Sequence, residues 1–144
     1  MRSRALRLLG FGVGVGLMVA ATPVAAHHSF AAEFDAAQPI TIRGKVTKIS
    51  WTNPHVWIYL NVADEKTGKV DNWGFEMGAP QQVRARGWDR DTLKTGDEII
   101  VEGSKARDGS LRMNARNVTW ALTGKKLGAA SSEGNAAAGT AGTP

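Results

Sequence analysis

The stretch Trp51-Thr52-Asn53-Pro54-His55-Val56-Trp57-Ile58-Tyr59-Leu60 decides how this chain folds. Asn53-Pro54 marks a tight turn, and the residues after it alternate strictly. Val56, Ile58, Leu60 and Val62 point one way, while His55, Trp57, Tyr59 and Asn61 point the other. A strand of this kind turns an aliphatic face to a core and an aromatic-and-histidine face to a site or a cover.

Upstream, residues 40–51 form a long first strand. Its apolar positions are even up to Val46 and odd from Ile49, so one extra residue near Lys48, a bulge, is expected. Gly44 in its middle marks a bend or a close backbone approach. Downstream, the polar loop 64–69 leads into a third strand, Val70 to Met77. There Trp73, Phe75 and Met77 share one face, and Asn72, Gly74 and Glu76 the other. Pro80 opens a short helix and Gly87 closes it, with Trp88 and Leu93 packing that connection onto the sheet. Glu98 to Lys105 is a fourth strand, Asp108-Gly109 a hairpin signal, and Leu111 to Trp120 a fifth strand.

Three strands, a helix and two strands, the first of them bulged, predict a mainly β protein. The expected architecture is a small five-stranded OB-like Greek-key barrel with one short helix between strands 3 and 4, spanning 40–127. Residues 128–144 are dominated by Ala, Gly, Ser and Thr with one charge, Glu133, and read as a disordered tail.

The first 26 residues read as a secretory signal peptide. Arg2, Arg4 and Arg7 precede an apolar run, Pro23 breaks it, and Val24-Ala25-Ala26 offers a cleavage site. The expected mature protein is exported to the periplasm, with no later apolar run to span a membrane. Cleavage leaves 118 residues (144 minus 26), enough for one core. It also removes three basic residues, leaving 15 basic against 13 acidic, so the overall charge says little about nucleic acid, and an exported protein is not expected to have a nucleic-acid partner. With no cysteine, neither disulfides nor thiolate metal sites can be built.

Residues 27–39 form the mature N-terminal segment. Its His27-His28-Ser29-Phe30-Ala31-Ala32-Glu33-Phe34-Asp35, with Gly44-Lys45-Val46, Trp51-Thr52-Asn53-Pro54-His55, Arg86-Gly87-Trp88 and Gly96-Asp97-Glu98, resembles the exported bacterial family catalogued as domain of unknown function 6152. The resemblance covers His27 to about Leu127 and implies a small, single-domain periplasmic protein. It implies no activity.

The chemistry-bearing residues are few. Cleavage after Ala26 makes His27 the N-terminal residue, and its amine and imidazole then chelate one metal, with a further imidazole from His55 or His28. Nitrogen ligands in a tetragonal set favour copper(II). Glu76 or Met77 on the third strand could add a ligand. The face of His55, Trp57 and Tyr59, with Glu76 and Met77 beside it, is also a surface for a periplasmic protein or small ligand without metal. Phe30 and Phe34, four apart on one helical turn, are expected to cover Trp57 and Tyr59 and so carry His27 and His28 towards His55. No serine–histidine–acid set and no phosphate-binding glycine loop is present, so no catalytic residue is assigned.

Overall fold

The computed structural model describes residues 30–133. A single helical turn, α1 (Phe30–Glu33), leads into β1 (Phe34–Trp51), β2 (Val56–Ala63) and β3 (Val70–Glu76). Helix α2 (Pro80–Arg84) follows, then β4 (Glu98–Ala106), β5 (Arg112–Trp120) and a short β6 (Lys126–Gly128). The strand order is β3-β2-β1-β4-β5-β6, and β3 also pairs with β5. That last pairing is parallel and short: Gly74 with Arg112, Phe75 with Met113, Glu76 with Asn114. It closes five strands into a barrel with α2 between β3 and β4, the OB-like Greek key expected from the sequence.

The length of β1 lets it serve two neighbours. Its first part pairs with β4, as in Ile42 with Val101, and its last part with β2, as in Trp51 with Val56. The register slips between Val46 and Lys48, leaving Thr47 unpaired at the place where the apolar parity changes. The backbones crowd at Gly44, where a Cβ would stand 2.6 Å from the Asn61 carbonyl oxygen. Only glycine fits there.

Two boundaries differ from expectation. Pro39 does not end the N-terminal segment, because β1 starts at Phe34 and passes through a second register slip between Asp35 and Pro39. The Asp35 carboxylate accepts the Ala37 N–H at 3.1 Å and the Gln38 side-chain amide at 3.1 Å, which holds this bulge. A proline with no N–H is tolerated where the ladder is already broken. The second difference lies beyond Leu127. There β6 pairs with β5, Ala129 is fully buried, and Ser131, Ser132 and Glu133 bond to the barrel, so the packed domain runs six residues past its expected end. Composition misled here because small residues lie flat over a barrel seam and need no bulk to be buried. Residues 134–144 and 1–29 lie outside the described residues.

The core fills the barrel with alternate side chains from all five strands, among them Val46, Ile58, Leu60, Phe75, Ile99, Val101 and Met113. Each such side chain contributes about 1.5–3 kcal/mol through burial. Val83, Trp88 and Leu93 from the α2 connection close one end. Helix α2 has Pro80 in its first turn, and Gly87 leaves it at φ +92°, a left-handed conformation that suits glycine. Trp88 donates its indole N–H to the Gly128 carbonyl at 2.8 Å and packs on Trp120 with ring centres 5.5 Å apart. Among the described residues no helix is long and apolar enough to cross a membrane.

Candidate functional site

The turn after β1 places His55 one residue before β2, on the outward face that also carries Trp57 and Tyr59. Backbone bonds from Val56 N–H to the Gly78 carbonyl (3.1 Å) and from Met77 N–H to the Val56 carbonyl (2.8 Å) hold this end of β2 against the end of β3. Trp57 lies directly opposite Glu76 in that pairing, which sets His55 on the diagonal. The result is a close contact: His55 Nδ1 lies 2.9 Å from Glu76 Oε1. The His55 side chain is 27% exposed, that of Glu76 only 8%.

A carboxylate on an outward strand position is ordinarily solvated. Glu76 is buried because the parallel seam brings β5 and the segment after β6 over it. Asn114, 1% exposed, donates from Nδ2 to Glu76 Oε1 at 3.4 Å and to Ser132 Oγ at 3.1 Å. Ser131 Oγ in turn donates to Asn114 Oδ1 at 2.5 Å. Glu133 accepts from Arg116 at 2.6 Å and from Ser104 Oγ at 3.4 Å, which fastens this segment down. Burial, with the charge of Glu33 adding to it, pushes the Glu76 carboxyl up to about 7, against the opposing pull of Arg112 and Asn114. The carboxyl in contact with His55 is therefore held well above the usual carboxylate range.

The aromatic stripe is a surface of its own. Trp57 and Tyr59 stack with centroids 6.3 Å apart and 21° between planes, over the space left by Gly74 on β3. Both are half-buried, and the Lys48 ammonium stands 5.5 Å from the Tyr59 ring centre.

Several sequence expectations change. Phe30 and Phe34 do share a face, with ring centres 5.8 Å apart, but they pack with Ala106 of β4 and make no described ring contact with Trp57 or Tyr59. The pairing of Phe34 with Ala106 at the start of β1 takes the segment to the C-terminal end of β4 instead. Arg107 fixes it there, donating to the Ala31 and Phe34 carbonyls at 2.9 and 3.1 Å. Met77 is not on the ligand face either. It is 1% exposed inside the barrel, as its shared parity with Phe75 requires. His27 and His28 lie outside the described residues. Among the described residues no group of three or more His, Cys, Asp or Glu side chains is arranged to hold a metal.

Asn114, Ser131 and Ser132 escaped the sequence reasoning. Asn114 alternates with Met113 and Ala115 as a solvated residue would, and only the parallel β3–β5 pairing, a contact between residues far apart in the chain, buries it.

Among curated proteins none matches this chain. A solved structure to which it is similar is the mitochondrial single-stranded DNA binding protein Rim1 from S. cerevisiae, at 10% identity and a TM-score of 0.47, over 58% of this chain and 93% of that one. A family model matches residues 15–115, most of the chain, and carries the description "Family of unknown function (DUF6152)". The chain belongs to that family.

Proposed function

We propose that the protein is a periplasmic OB-like binding module that takes up copper through His55 and an N-terminal His27. The observation that carries this is the 2.9 Å contact between His55 Nδ1 and the buried Glu76 carboxylate. A metal-ligating histidine nearly always donates its second ring N–H to a carboxylate, a backbone carbonyl or water, which fixes the tautomer and leaves the other nitrogen as the ligand. Glu76 thus acts as the orienting group, and Nε2 of His55 is the nitrogen offered to metal.

Chain geometry supports the rest. Glu33 of α1 is close enough for its charge to act on Glu76, and Arg112 reaches Glu33 at 3.7 Å from the β5 side. From Phe30 back to His27 is three residues, a reach of at most about 10 Å. An N-terminal amine and imidazole at His27, freed by cleavage after Ala26, supply two more nitrogens, and a nitrogen set of this kind selects copper(II).

The stacked Trp57–Tyr59 pair favours a second function, in which that half-exposed face binds a small ligand or a periplasmic protein without metal. Aromatic platforms over a strand glycine suit flat or sugar-like groups.

The test uses protein beginning at His27 and a control with one added N-terminal alanine. Copper(II) binding is followed by spin resonance and by quenching of tryptophan fluorescence. Tight binding by the first form, weakened about tenfold or more in the control, in His55→Ala and in Glu76→Gln, is the expected result. Binding kept in His55→Ala but lost in His28→Ala indicates a chelate confined to the first two residues. Equal weak binding by all forms rejects the copper site and leaves the aromatic face.

A further inference from the structure

The arginines of this protein sort into two groups. Arg43, Arg107, Arg112 and Arg116 each bridge a carboxylate: Glu98, Asp35, Glu33 with Asp108, and Glu133. Arg84, Arg86 and Arg90 bridge none among the described residues, all three are exposed, and they fall within seven residues of one another at α2 and the turn after it. Two of them share one ring. The Arg84 guanidinium lies 6.0 Å from the Trp51 ring centre and that of Arg90 5.9 Å from it. Trp51 is itself half-buried, packed against the core at the end of β1, so it is a fixed platform.

Two like charges on one indole repel each other unless an anion joins them. The acids nearest in sequence are already engaged. Asp89 accepts from Asp91 N–H and Thr92 Oγ, and Asp91 bridges Lys94 at 2.6 Å. Stacking on the indole restricts the guanidiniums, so their planar forks are partly ordered before a ligand arrives. A guanidinium fork matches a carboxylate with two parallel hydrogen bonds.

We infer that Trp51, Arg84 and Arg90 form a docking surface for a carboxylate-bearing, acidic segment of a partner protein. Tryptophan and arginine are the residue types that concentrate binding energy at protein interfaces. The small overall balance points the same way. Residues 30–133 hold 15 basic and 13 acidic residues, too even for the broad positive field that a polyanion or an anionic membrane rewards. One local, fixed set of forks suits a few carboxylates at defined positions. This surface lies on the α2 side of the turn and does not depend on metal at His55.

The experiment is a nuclear magnetic resonance titration of the full mature protein with a poly-glutamate peptide, with poly-glutamine, and with phosphatidylglycerol vesicles. Poly-glutamate should shift the Trp51 indole N–H and the Arg84 and Arg90 Nε–H signals, and poly-glutamine should not. Replacing both residues, Arg84→Gln with Arg90→Gln, should weaken poly-glutamate binding about tenfold, as expected for losing two charge-assisted contacts. The charge-matched control, Arg43→Gln with Lys126→Gln, removes two cations that are already bridged and should weaken it by less than about twofold. Equal loss in the two double variants would overturn the surface in favour of diffuse charge. Binding to vesicles without binding to peptide would overturn the protein partner. Should the Arg84/Arg90 variant fail to fold, the wild-type shifts decide: changes centred on Trp51, Arg84 and Arg90 support the surface, and changes spread over the barrel refute it.

Discussion

Glu76→Gln in the metal-free protein isolates the buried carboxyl. In the folded chain this group titrates near 7, against an ordinary 4.5, chiefly because burial penalises its charge. Below pH 4.5 it is protonated in both folded and unfolded chains, and above about 7 it is ionised in both. Between those values only the folded chain holds the proton, so the folded state loses stability as pH rises from about 4.5 to about 7. An extra span of about 2.5 pH at about 1.4 kcal/mol for each tenfold is worth at most about 3 kcal/mol. Glutamine keeps the acceptor oxygen for His55 and Asn114 but has no charge to bury. Urea unfolding with a chelator present should therefore show the variant gaining about 2–3 kcal/mol on wild type between about pH 4 and pH 8. Parallel stability curves would refute the buried charge. A variant that loses ground as pH rises would show instead that an imidazolium–carboxylate pair dominates and that the Glu76 carboxyl is depressed.

Three further outcomes test the packing. Gly44→Val places a side chain against the Asn61 carbonyl and should cost about 1–3 kcal/mol, lowering the melting temperature by several degrees; an unchanged melt would refute the close approach. A chain ending after Leu127 loses buried Ala129 and the Ser131, Ser132 and Glu133 bonds, and should be about 2–3 kcal/mol less stable by urea unfolding than one ending after Glu133; equal stability would refute the packing of this segment. Asn114→Ala removes a bond that favours the Glu76 carboxylate, so the carboxyl should titrate above 7 when followed by carbon-13 resonance.

Local signals in the sequence carry the strands and fail where distant parts of the chain meet. The parity change around Lys48 located the β1 bulge because period-two alternation cannot survive an added residue. The inward set of β2 was legible for the same reason: Val56, Ile58 and Leu60 are all buried. The outward set was only half legible. The proximity of Glu76 to His55 follows from neighbouring strands, but the burial of Glu76 does not, since it needs β5 and residues 129–133 above it. The seat of Phe30 and Phe34 was hidden likewise, because a four-residue spacing says that two rings share a face and says nothing of which surface receives them. Arg84 and Arg90 carry no local signal of this kind, because their shared contact with Trp51 depends on where the end of β1 lies.

The same non-local contact limits how firmly the site is held. Only three residue pairs join β3 to β5, whereas the β1–β4 pairing extends over most of both strands. A parallel pairing this short stabilises little by its own hydrogen bonds, and one of its three pairs sets the buried Glu76 against Asn114. Ionising Glu76 therefore places an unfavourable charge at the narrowest join of the barrel. Local opening exposes that charge to water, so its free-energy cost should fall as pH rises from about 4.5 to about 7, while opening at β1–β4 should not respond. Hydrogen exchange at Gly74, whose N–H bonds to the Leu111 carbonyl at 2.9 Å, and at Met113, compared with Ile42 and Val101 and corrected for the intrinsic pH dependence of exchange, measures both. Protection at the first pair should drop by about tenfold or more between about pH 5 and pH 7, and Glu76→Gln should abolish the drop. If all four amides lose protection together, the barrel opens as one unit and the seam is not its weak join.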